Sequence, residues 1–374
     1  MRWIFTICLF ISFVLPHTAP TLSQSESASL TILHTERITH AQWSADESHI
    51  LTTSEDGTIR MSHAQTGNIV WERSHNHPIA GASWHENMII AWDTNGTALL
   101  INAITGEVTD RYYLDQIQNA IWAGDNTTVM IYSPNILNLI AIQDGLFGTG
   151  LFALETPDPI LSAQWNTDAT RIFTFHQSLK TIIWDVDRGD AIGSYQFAQD
   201  TTGIAWSMRE DQLVSWGANS TITLWHISST TGMMRVRDFR HSRTFVIGTK
   251  WAMDDNLLIT WGADETARIW DVMSGTEQIR VRHTDWVTGA MINHDGTKLV
   301  TWSYHFAYLW NAQTGELIWR VSQDNLVSGA MLNADETRLL TWGWDGTARV
   351  WDISITDAQI QMHIRDDRLF NQAF

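Results

Sequence analysis

Cysteine is almost absent from this sequence of 374 residues, and the one thiol it holds is Cys8. A chain without a second cysteine cannot form an internal disulfide, and a lone cysteine cannot build a thiolate zinc site. Lysine is nearly as scarce: only three of the 23 basic residues are lysines, against 41 acidic residues and a net charge of −18. Because nucleic-acid and anionic-membrane surfaces need clustered Lys and Arg, this balance disfavours both partners.

Long apolar runs are also missing, and the longest lies at the amino terminus. It extends from Trp3 to Leu15, follows Arg2, contains Cys8 and is broken by Pro16. Thirteen residues are too few for the roughly 20 that a membrane-spanning helix needs. A basic residue, a short apolar run and small polar residues after it are typical of a secretory signal peptide. We therefore expect residues 1–23 to be a signal peptide, the remaining chain to be exported and free of thiols, and no transmembrane anchor.

Tryptophan is unusually abundant, with 21 residues, and the chain carries only six prolines. Apolar residues make up 44% of the sequence and charged residues 17%, which is the composition of a globular protein with a large core. Each buried indole removes roughly 150–250 Å² of surface from water, so these rings can stabilise a fold with little helix.

Beyond residue 30 the chain repeats itself. Residues 257–271 align without a gap on residues 338–352, and both segments end in a Trp-Asp pair. A related pattern recurs at intervals of 41, 38, 43, 41, 45, 40 and 40 residues. Its anchors are Trp43, Trp84, Trp122, Trp165, Trp206, Trp251, Met291 and Met331. Periods near 40 residues are typical of repeat architectures, and this spacing gives eight units.

Each unit contains four short apolar runs separated by turn sequences. Asp-Gly-Thr and Thr-Gly steps, such as those at 56–58 and 314–315, separate runs rich in β-branched and aromatic residues. This pattern predicts strands, and no long segment shows helical periodicity. We expect an all-β fold in which each unit is a four-stranded antiparallel sheet.

One position in each unit, nine residues before the Trp site of the third strand, is aromatic in seven of the eight units. It is occupied by Thr53, Trp92, Phe175, Trp216, Trp261 and Trp342 and, with a shift of about one residue in the turn, by Tyr132 and Trp302. A small sheet with large rings on one face and apolar residues on the other must be covered on both faces. Radial packing of the sheets around a channel provides that cover.

The segment 345–352, Asp-Gly-Thr-Ala-Arg-Val-Trp-Asp, resembles the WD-repeat family, and residues 266–271 echo it. The similarity covers roughly residues 30–364 and is weakest in units 2 and 3. It implies a β-propeller that binds partners, and it implies a buried hydrogen-bond relay of His, Thr, Asp and Trp. This relay maps onto His241, Thr260, Asp264 and Trp270 in unit 6, and onto Thr341, Asp345 and Trp351 in unit 8, where no matching His is found.

The expected fold is therefore a single eight-bladed β-propeller of four-stranded antiparallel blades, formed by residues 24–364 and followed by a tail at 365–374. A terminal strand should complete blade 8 and close the ring. Two segments fit this role, Leu30–Leu33 and Gln359–Ile364. We favour the amino-terminal one, because joining the two ends of the chain hides exposed strand edges.

The sequence contains no pattern that points to catalysis, a metal or a cofactor. It has no phosphate-binding Gly-rich loop, no Gly-x-Ser-x-Gly and no calcium-loop spacing, and five of its 15 histidines precede first strands, where the family places its relay His. Residues 64–71 and 312–319 are similar to the Trp-docking repeat of eight-bladed quinoprotein propellers, some of which bind a quinone cofactor and some of which are envelope scaffolds. The redox members are known for a vicinal disulfide, which this chain cannot form.

Blade 7 departs most clearly from the repeat. Tyr304, His305 and Phe306 replace the Asp-Gly-Thr turn, and one residue is lost. In the layout of the family, loops before first strands and turns between second and third strands share one rim of the propeller. Trp286 and Trp344 should therefore lie near these three residues, outside the blade core. We call Trp286, Tyr304, His305, Phe306 and Trp344 the aromatic rim.

Exposed aromatic residues are enriched in binding hot spots, so the aromatic rim is the candidate binding surface. We expect an exported, non-enzymatic interaction scaffold without a cofactor, whose partner is a protein. The alternatives are an envelope-assembly scaffold like the quinoprotein propellers, a glycan-binding propeller and, less favoured, a propeller enzyme.

Overall fold

The computed structural model describes residues 28–124, 127–228, 232–242 and 244–354. These residues form 32 strands in eight four-stranded sheets, so the expected eight-bladed propeller is confirmed. The signal-peptide segment 1–23, the alternative closing segment 359–364 and the tail 365–374 lie outside the described residues. In the described ranges no helix is long and apolar enough to cross a membrane.

The first four blades are built in chain order. Blade 1 contains β2 (Ile38–Trp43), β3 (His49–Ser54), β4 (Thr58–His63) and β5 (Ile69–Ser74); blade 2 contains β6 (Ile79–His85), β7 (Met88–Asp93), β8 (Thr97–Asn102) and β9 (Val108–Tyr113). Blade 3 contains β10 (Asn119–Trp122), β11 (Thr128–Tyr132), β12 (Ile136–Gln143) and β13 (Leu146–Glu155); blade 4 contains β14 (Ile160–Trp165), β15 (Arg171–His176), β16 (Lys180–Asp185) and β17 (Ala191–Gln196).

The remaining blades follow the same order until the ring closes. Blade 5 contains β18 (Thr201–Trp206), β19 (Gln212–Gly217), β20 (Thr221–Ser228) and β21 (Gly232–Arg240); blade 6 contains β22 (Val246–Ala252), β23 (Leu257–Gly262), β24 (Thr266–Asp271) and β25 (Glu277–Arg282). Blade 7 contains β26 (Gly289–Ile292), β27 (Lys298–Trp302), β28 (Phe306–Asn311) and β29 (Leu317–Ser322); blade 8 contains β30 (Val327–Leu332), β31 (Arg338–Gly343), β32 (Thr347–Asp352) and β1 (Leu30–Leu33).

The amino-terminal strand closes the ring, as favoured from the sequence. β1 pairs antiparallel with β32, with Leu30 opposite Val350 and Leu33 opposite Thr347. The Ser29 hydroxyl adds a hydrogen bond of 2.8 Å to the Val350 carbonyl. The fourth position of blade 8 is therefore filled by residues that lie more than 300 positions away in the chain.

The core is divided into eight hydrophobic clusters, one at each interface between neighbouring blades. Trp342 of blade 8, for example, packs with Ile38 and Ala41 of blade 1. Trp92 of blade 2 lies in the cluster with Val129 of blade 3. The aromatic residues of the second strands thus pack between blades, which is the arrangement expected for them.

A glycine in the first strand makes room for each of these tryptophans. At Gly329 a Cβ would lie 2.2 Å from the Trp342 ring, so no larger residue fits beside this indole. The same pairing joins Gly81 to Trp92, Gly203 to Trp216, Gly248 to Trp261 and Gly289 to Trp302. Blade 1 reverses the sizes, because His40 lies opposite Thr53. This reversal explains why unit 1 has no aromatic residue at that position.

Two turns at opposite sides of the ring are shortened. In blade 7 the Ser303 amide donates a 2.9 Å hydrogen bond to the Phe306 carbonyl, and in blade 3 the Ser133 amide donates a 2.8 Å hydrogen bond to the Ile136 carbonyl. Each turn has two central residues, Tyr304-His305 in blade 7 and Pro134-Asn135 in blade 3. These are the two units in which the sequence repeat shifts by one residue.

At three blade interfaces a glutamate of one blade bonds to side chains of the preceding blade. These contacts lie on the face formed by the turns between first and second strands. Glu47, Glu210 and Glu336 occupy the same turn position with φ of 56°, 63° and 58°. Glu336 accepts a 2.7 Å hydrogen bond from Asn293 of blade 7 and pairs with Lys298 of the same blade at 2.8 Å. Glu210 and Glu47 make equivalent contacts to blades 4 and 8.

Candidate functional site

The blade 6 relay residues are joined by hydrogen bonds. His241 Nδ1 lies 2.9 Å from Asp264 Oδ1, and His241 Nε2 lies 2.8 Å from the Thr260 hydroxyl. Trp270 Nε1 donates to the same hydroxyl oxygen at 2.8 Å. Because a carboxylate only accepts, His241 donates from Nδ1 and accepts the Thr260 proton at Nε2. Burial lowers the pKa of His241, against the opposing effect of Asp264, so the ring is held neutral.

Blade 8 replaces the relay histidine by Gln323, which reasoning from the sequence missed. The Gln323 amide nitrogen donates to Thr347 Oγ1 at 3.2 Å and lies 3.4 Å from Asp345. Trp351 Nε1 donates to Thr341 Oγ1 at 2.9 Å. Among the described residues Gln323 makes no hydrogen bond to Thr341, so the relay of blade 8 is split into the group Gln323, Asp345 and Thr347 and the pair Thr341 and Trp351.

Thr260→Val should cost about 3 kcal/mol of unfolding free energy, because the Trp270 N–H and His241 Nε2 would both lose a buried partner. Thr341→Val removes one such bond in blade 8 and should cost about half as much. Urea unfolding followed by Trp fluorescence measures both values. Equal losses in the two variants would contradict a shared role for the Thr260 hydroxyl.

The aromatic rim lies on one face of the propeller, which we call the upper face. This face carries the loops before the first strands and the turns between second and third strands. Trp286 precedes β26, Tyr304 and His305 form the turn between β27 and β28, and Trp344 follows β31. Trp286, Tyr304 and Trp344 are 51%, 46% and 49% exposed, respectively.

Each rim tryptophan packs against a neighbouring blade rather than against the blade 7 turn. The Trp286 ring meets the Phe245 ring of blade 6 edge to face, with centroids 5.2 Å apart. The Arg37 guanidinium of blade 1 lies 4.6 Å from the centroid of the Trp344 ring. Among the described residues no ring contact joins Tyr304 to either tryptophan. The rim is thus a row of half-exposed rings and not one stacked cluster.

The three residues of the blade 7 turn have different surroundings. The Tyr304 and His305 rings contact each other at 4.6 Å, and both residues are exposed. The Tyr304 carbonyl accepts a 3.0 Å hydrogen bond from the Val327 amide, which ties this turn to blade 8. The expectation that Phe306 lies outside the core is wrong. Because the turn is short, Phe306 is the first residue of β28 and packs, partly buried, against the cluster between blades 6 and 7.

Phe245 extends the exposed surface to blade 6 and was missed in the sequence. It is 41% exposed and occupies the same place before β22 that Trp286 occupies before β26. One extra residue in the blade 6 loop hides this correspondence. Aligning the two loops on the buried valine would have revealed the correspondence, because Phe245 directly precedes Val246 and Trp286 directly precedes Val287.

The segments 64–71 and 312–319 carry turns between third and fourth strands. Gly67 and Gly315 have φ of 72° and 75°, and Gly106, Gly189 and Gly275 hold the same turn in three other blades. The Trp71 ring nitrogen donates a 2.9 Å hydrogen bond to the Ala103 carbonyl of blade 2. The features that resemble quinoprotein propellers therefore serve turn formation and packing between blades here. No group of three or more His, Cys, Asp or Glu side chains is arranged to bind a metal in the described ranges.

Comparisons with known proteins point to the same architecture. A family model for "WD domain, G-beta repeat" matches residues 28–61. Apoptotic protease-activating factor 1 of Mus musculus is 28% identical over 76 residues, which are 20% of this chain and 6% of that protein. The chain thus matches only a small part of that relative's length.

Solved structures extend the likeness to most of the chain. The computationally designed Ika8 protein superimposes with a TM-score of 0.73 at 18% identity, covering 87% of this chain and 99% of its own. The C-terminal WD40 domain of Sif2 superimposes with a TM-score of 0.72 at 15% identity, covering 87% of this chain and 97% of its own. The fold is thus an eight-bladed β-propeller, and the matched WD model supports a propeller of the WD-repeat type.

Proposed function

We propose that this propeller is an exported, non-enzymatic scaffold that binds a protein partner through the aromatic rim on blades 7 and 8. WD-repeat propellers generally bind protein partners and are typically non-catalytic. The observation that carries the proposal is the concentration of exposed rings on the upper face. In the described ranges five large aromatic side chains are exposed, and Tyr113 is the only one outside blades 6 to 8.

The exposed rings have the character of binding hot spots. Trp and Tyr are the residues that most often dominate binding energy, and half-exposed rings held by a neighbouring side chain lose little freedom when a partner covers them. Trp286 is held by Phe245, and Trp344 is held by Arg37. Both rings are therefore positioned before binding.

The overall acidity of the chain favours a partner with basic residues. Asp285 precedes Trp286 in the chain, and the side chain of Asp324, in the loop before β30, is 83% exposed and pairs with Arg349 at 2.5 Å. The whole chain carries a net charge of −18. Complementary charge accelerates association and selects partners, so we propose a partner surface that combines apolar and basic side chains.

Burial of the His–Asp pairs supports a function without catalysis. The His241 and Asp264 side chains are 0% and 5% exposed, and those of His34 and Asp56 are 0% and 7% exposed. A general acid or base must reach a substrate. These pairs are used inside the blades, where they hold the turns in place.

The binding surface can be tested by placing a photo-crosslinking amino acid at Tyr304 and, as a matched exposed control, at Tyr113. A discrete cross-linked protein from Tyr304 and none from Tyr113 is the expected result. The protein recovered from Tyr304 is then purified, and its affinity is measured against a Trp286→Ala, Trp344→Ala variant. Loss of at least about 2 kcal/mol of binding free energy, roughly 30-fold in Kd, is expected.

The chain provides its own control for the blade 7 turn. A Tyr304→Pro, His305→Asn variant copies the Pro134-Asn135 turn of blade 3, which has the same length and no aromatic ring. This variant should keep the fold and weaken binding. Unchanged affinity in both rim variants, with native thermal unfolding, would refute the proposal. Retention on polysaccharide with quenched Trp fluorescence would favour the glycan-binding alternative.

Export is supported by the pattern of residues 1–23 and can be tested separately. Expression of the full chain in a host with a secretory pathway should give a processed protein outside the cytoplasm, with an amino terminus near residue 24. A full-length protein that stays in the cytoplasm would contradict export and would leave the proposal for the aromatic rim unaffected.

A further inference from the structure

We propose that His49 and His63 form a binding site for a divalent transition-metal ion, with Cu²⁺ bound most tightly. His49 begins β3 and His63 ends β4, so both residues lie on the lower face of blade 1, opposite the aromatic rim. Neither residue belongs to a hydrogen-bond relay of the family. Both imidazoles are accessible, since His63 is exposed and His49 is half-buried.

The strand register places the two imidazoles side by side. His49 lies directly opposite His63, and the ring centroids are 4.8 Å apart with an angle of 32° between the ring planes. The neighbouring Ala64 amide donates to the Ser48 carbonyl, whereas the backbone of His49 bonds to Ser44. The two histidines therefore form a non-hydrogen-bonded pair, the type in which opposing side chains approach most closely.

Hydrogen bonds fix the tautomer of His49 that a metal requires. The Ser48 hydroxyl donates its one proton to Asp46 Oδ1 at 2.7 Å. His49 Nδ1, which is 2.7 Å from the same hydroxyl oxygen, must then donate to it. The Nε2 atom of His49 therefore carries the free lone pair. A metal-binding histidine usually donates its other ring N–H to a hydrogen-bond acceptor, and here the Ser48 hydroxyl, itself bonded to Asp46, is that acceptor.

The support itself is rigid. Asp46 accepts two further hydrogen bonds, from the Ser44 hydroxyl at 2.6 Å and from the Ser48 amide at 3.1 Å. Glu47, in the same turn, accepts a 3.1 Å hydrogen bond from Asn333 of blade 8. The loop that orients His49 is thus anchored to the neighbouring blade before any ion binds.

The number and the chemical type of the ligands decide which metal ion this site can bind. Two imidazoles leave the remaining coordination positions to water, and no third His, Asp or Glu completes a cluster among the described residues. Nitrogen ligands suit Cu²⁺, Ni²⁺ and Zn²⁺, and the affinity of a given site is highest for Cu²⁺. Ca²⁺ and Mg²⁺ prefer oxygen ligands and should not bind here.

The test uses the purified full chain and Cu²⁺ alone. Electron paramagnetic resonance at one equivalent of Cu²⁺ should show two equatorial nitrogen ligands, and calorimetry should give one dominant site. His63→Ala and, separately, His49→Ala should abolish the two-nitrogen spectrum and weaken binding at least about tenfold. Since both residues are at the surface, circular dichroism and thermal unfolding without metal should stay native, and His63→Gln provides a second variant at the more exposed position.

Ser48→Ala separates orientation from ligation. It should weaken Cu²⁺ binding about tenfold while the two-nitrogen spectrum is retained, and Ser48→Thr should restore the affinity. His77→Ala is the matched control, because His77 lies 5.9 Å from His75, whose Nε2 is bonded to Asp93 at 2.7 Å. An unchanged spectrum in His63→Ala, or equal weakening in His77→Ala, would overturn the site.

Discussion

Ile32→Asp should destabilise the propeller by at least about 4 kcal/mol, the largest effect that we expect from any single substitution. Ile32 lies in β1, is 4% exposed and packs in the cluster between blades 8 and 1. A carboxylate there has no cationic partner in the cluster, and the apolar contacts of the isoleucine are lost. Such a loss is a large part of the 5–15 kcal/mol that typically separates folded and unfolded states.

The location of Ile32 makes the effect larger than that of an ordinary core residue. β1 pairs only with β32, so its release leaves blade 8 with three strands and opens the ring. The exposed edge of β32 can then pair with another molecule. We expect a lowered midpoint in urea unfolding and dimers or larger species in size-exclusion chromatography with light scattering.

Thr31→Asp is the matched control for Ile32→Asp. Thr31 is the preceding residue of the same strand, and its side chain is exposed on the opposite face. It should change the unfolding free energy by no more than about 0.5 kcal/mol. If Ile32→Asp and Thr31→Asp were equally stable and monomeric, closure of the ring by β1 would contribute little to stability.

The blades could be predicted because their determinants are local. Turn sequences, β-branched runs and a period near 40 residues repeat in every unit, and each unit packs only on its neighbours. Choosing between two closing strands was harder. Both segments have the right composition, and the edge of β32 accepts one partner.

The missed features depend on contacts between units, which a repeat comparison does not contain. Gln323 replaces a relay histidine with a side chain of different chemistry, so motif matching passes over it. The contact of Glu336 with blade 7 requires a positive φ at Glu336 in blade 8 and an asparagine, Asn293, in the preceding blade. The contact of Trp286 with Phe245 joins residues of two blades whose loops differ in length. The aromatic rim could be predicted because the blade 7 turn departs from the repeat. Phe245, which contacts Trp286, gives no such signal and was missed.

Acidification between pH 6.5 and pH 4 should destabilise the propeller through its buried histidines, and His34 and His283 should each contribute strongly. Burial lowers the pKa of His34 from 6.5 to about 4, with a further contribution from Arg60. Burial also lowers the pKa of His283 from 6.5 to about 3. His34 Nε2 contacts the Thr52 hydroxyl at 2.8 Å, and His283 Nε2 contacts the Thr301 hydroxyl at 2.7 Å. In the described ranges the buried His283 Nδ1 has no hydrogen-bond partner that could stabilise a second ring proton.

The direction follows from proton binding. A histidine whose pKa is lower in the folded state takes up its proton more readily when unfolded, so stability is complete above pH 6.5 and declines as the pH falls towards the folded pKa. At pH 4 each of the two histidines should have lowered the free energy of unfolding by about 3 kcal/mol relative to pH 7. Hydrogen bonds lower the pKa of Asp46 to about 2, so its contribution is lost mainly below pH 4, outside this window.

A His34→Gln, His283→Gln variant should remove the part of this dependence that comes from these two residues, because Gln323 shows that glutamine fits the equivalent position in blade 8. Burial also lowers the pKa of His40 and His241, which the variant retains. The measurement is urea unfolding of the wild type and the variant at pH 7 and pH 4. The difference between the two pH values should be smaller in the variant by several kcal/mol. His77→Gln, at an exposed position, should leave the difference unchanged. If the double variant lost as much stability as the wild type, His34 and His283 would not be among the groups that bind protons on unfolding.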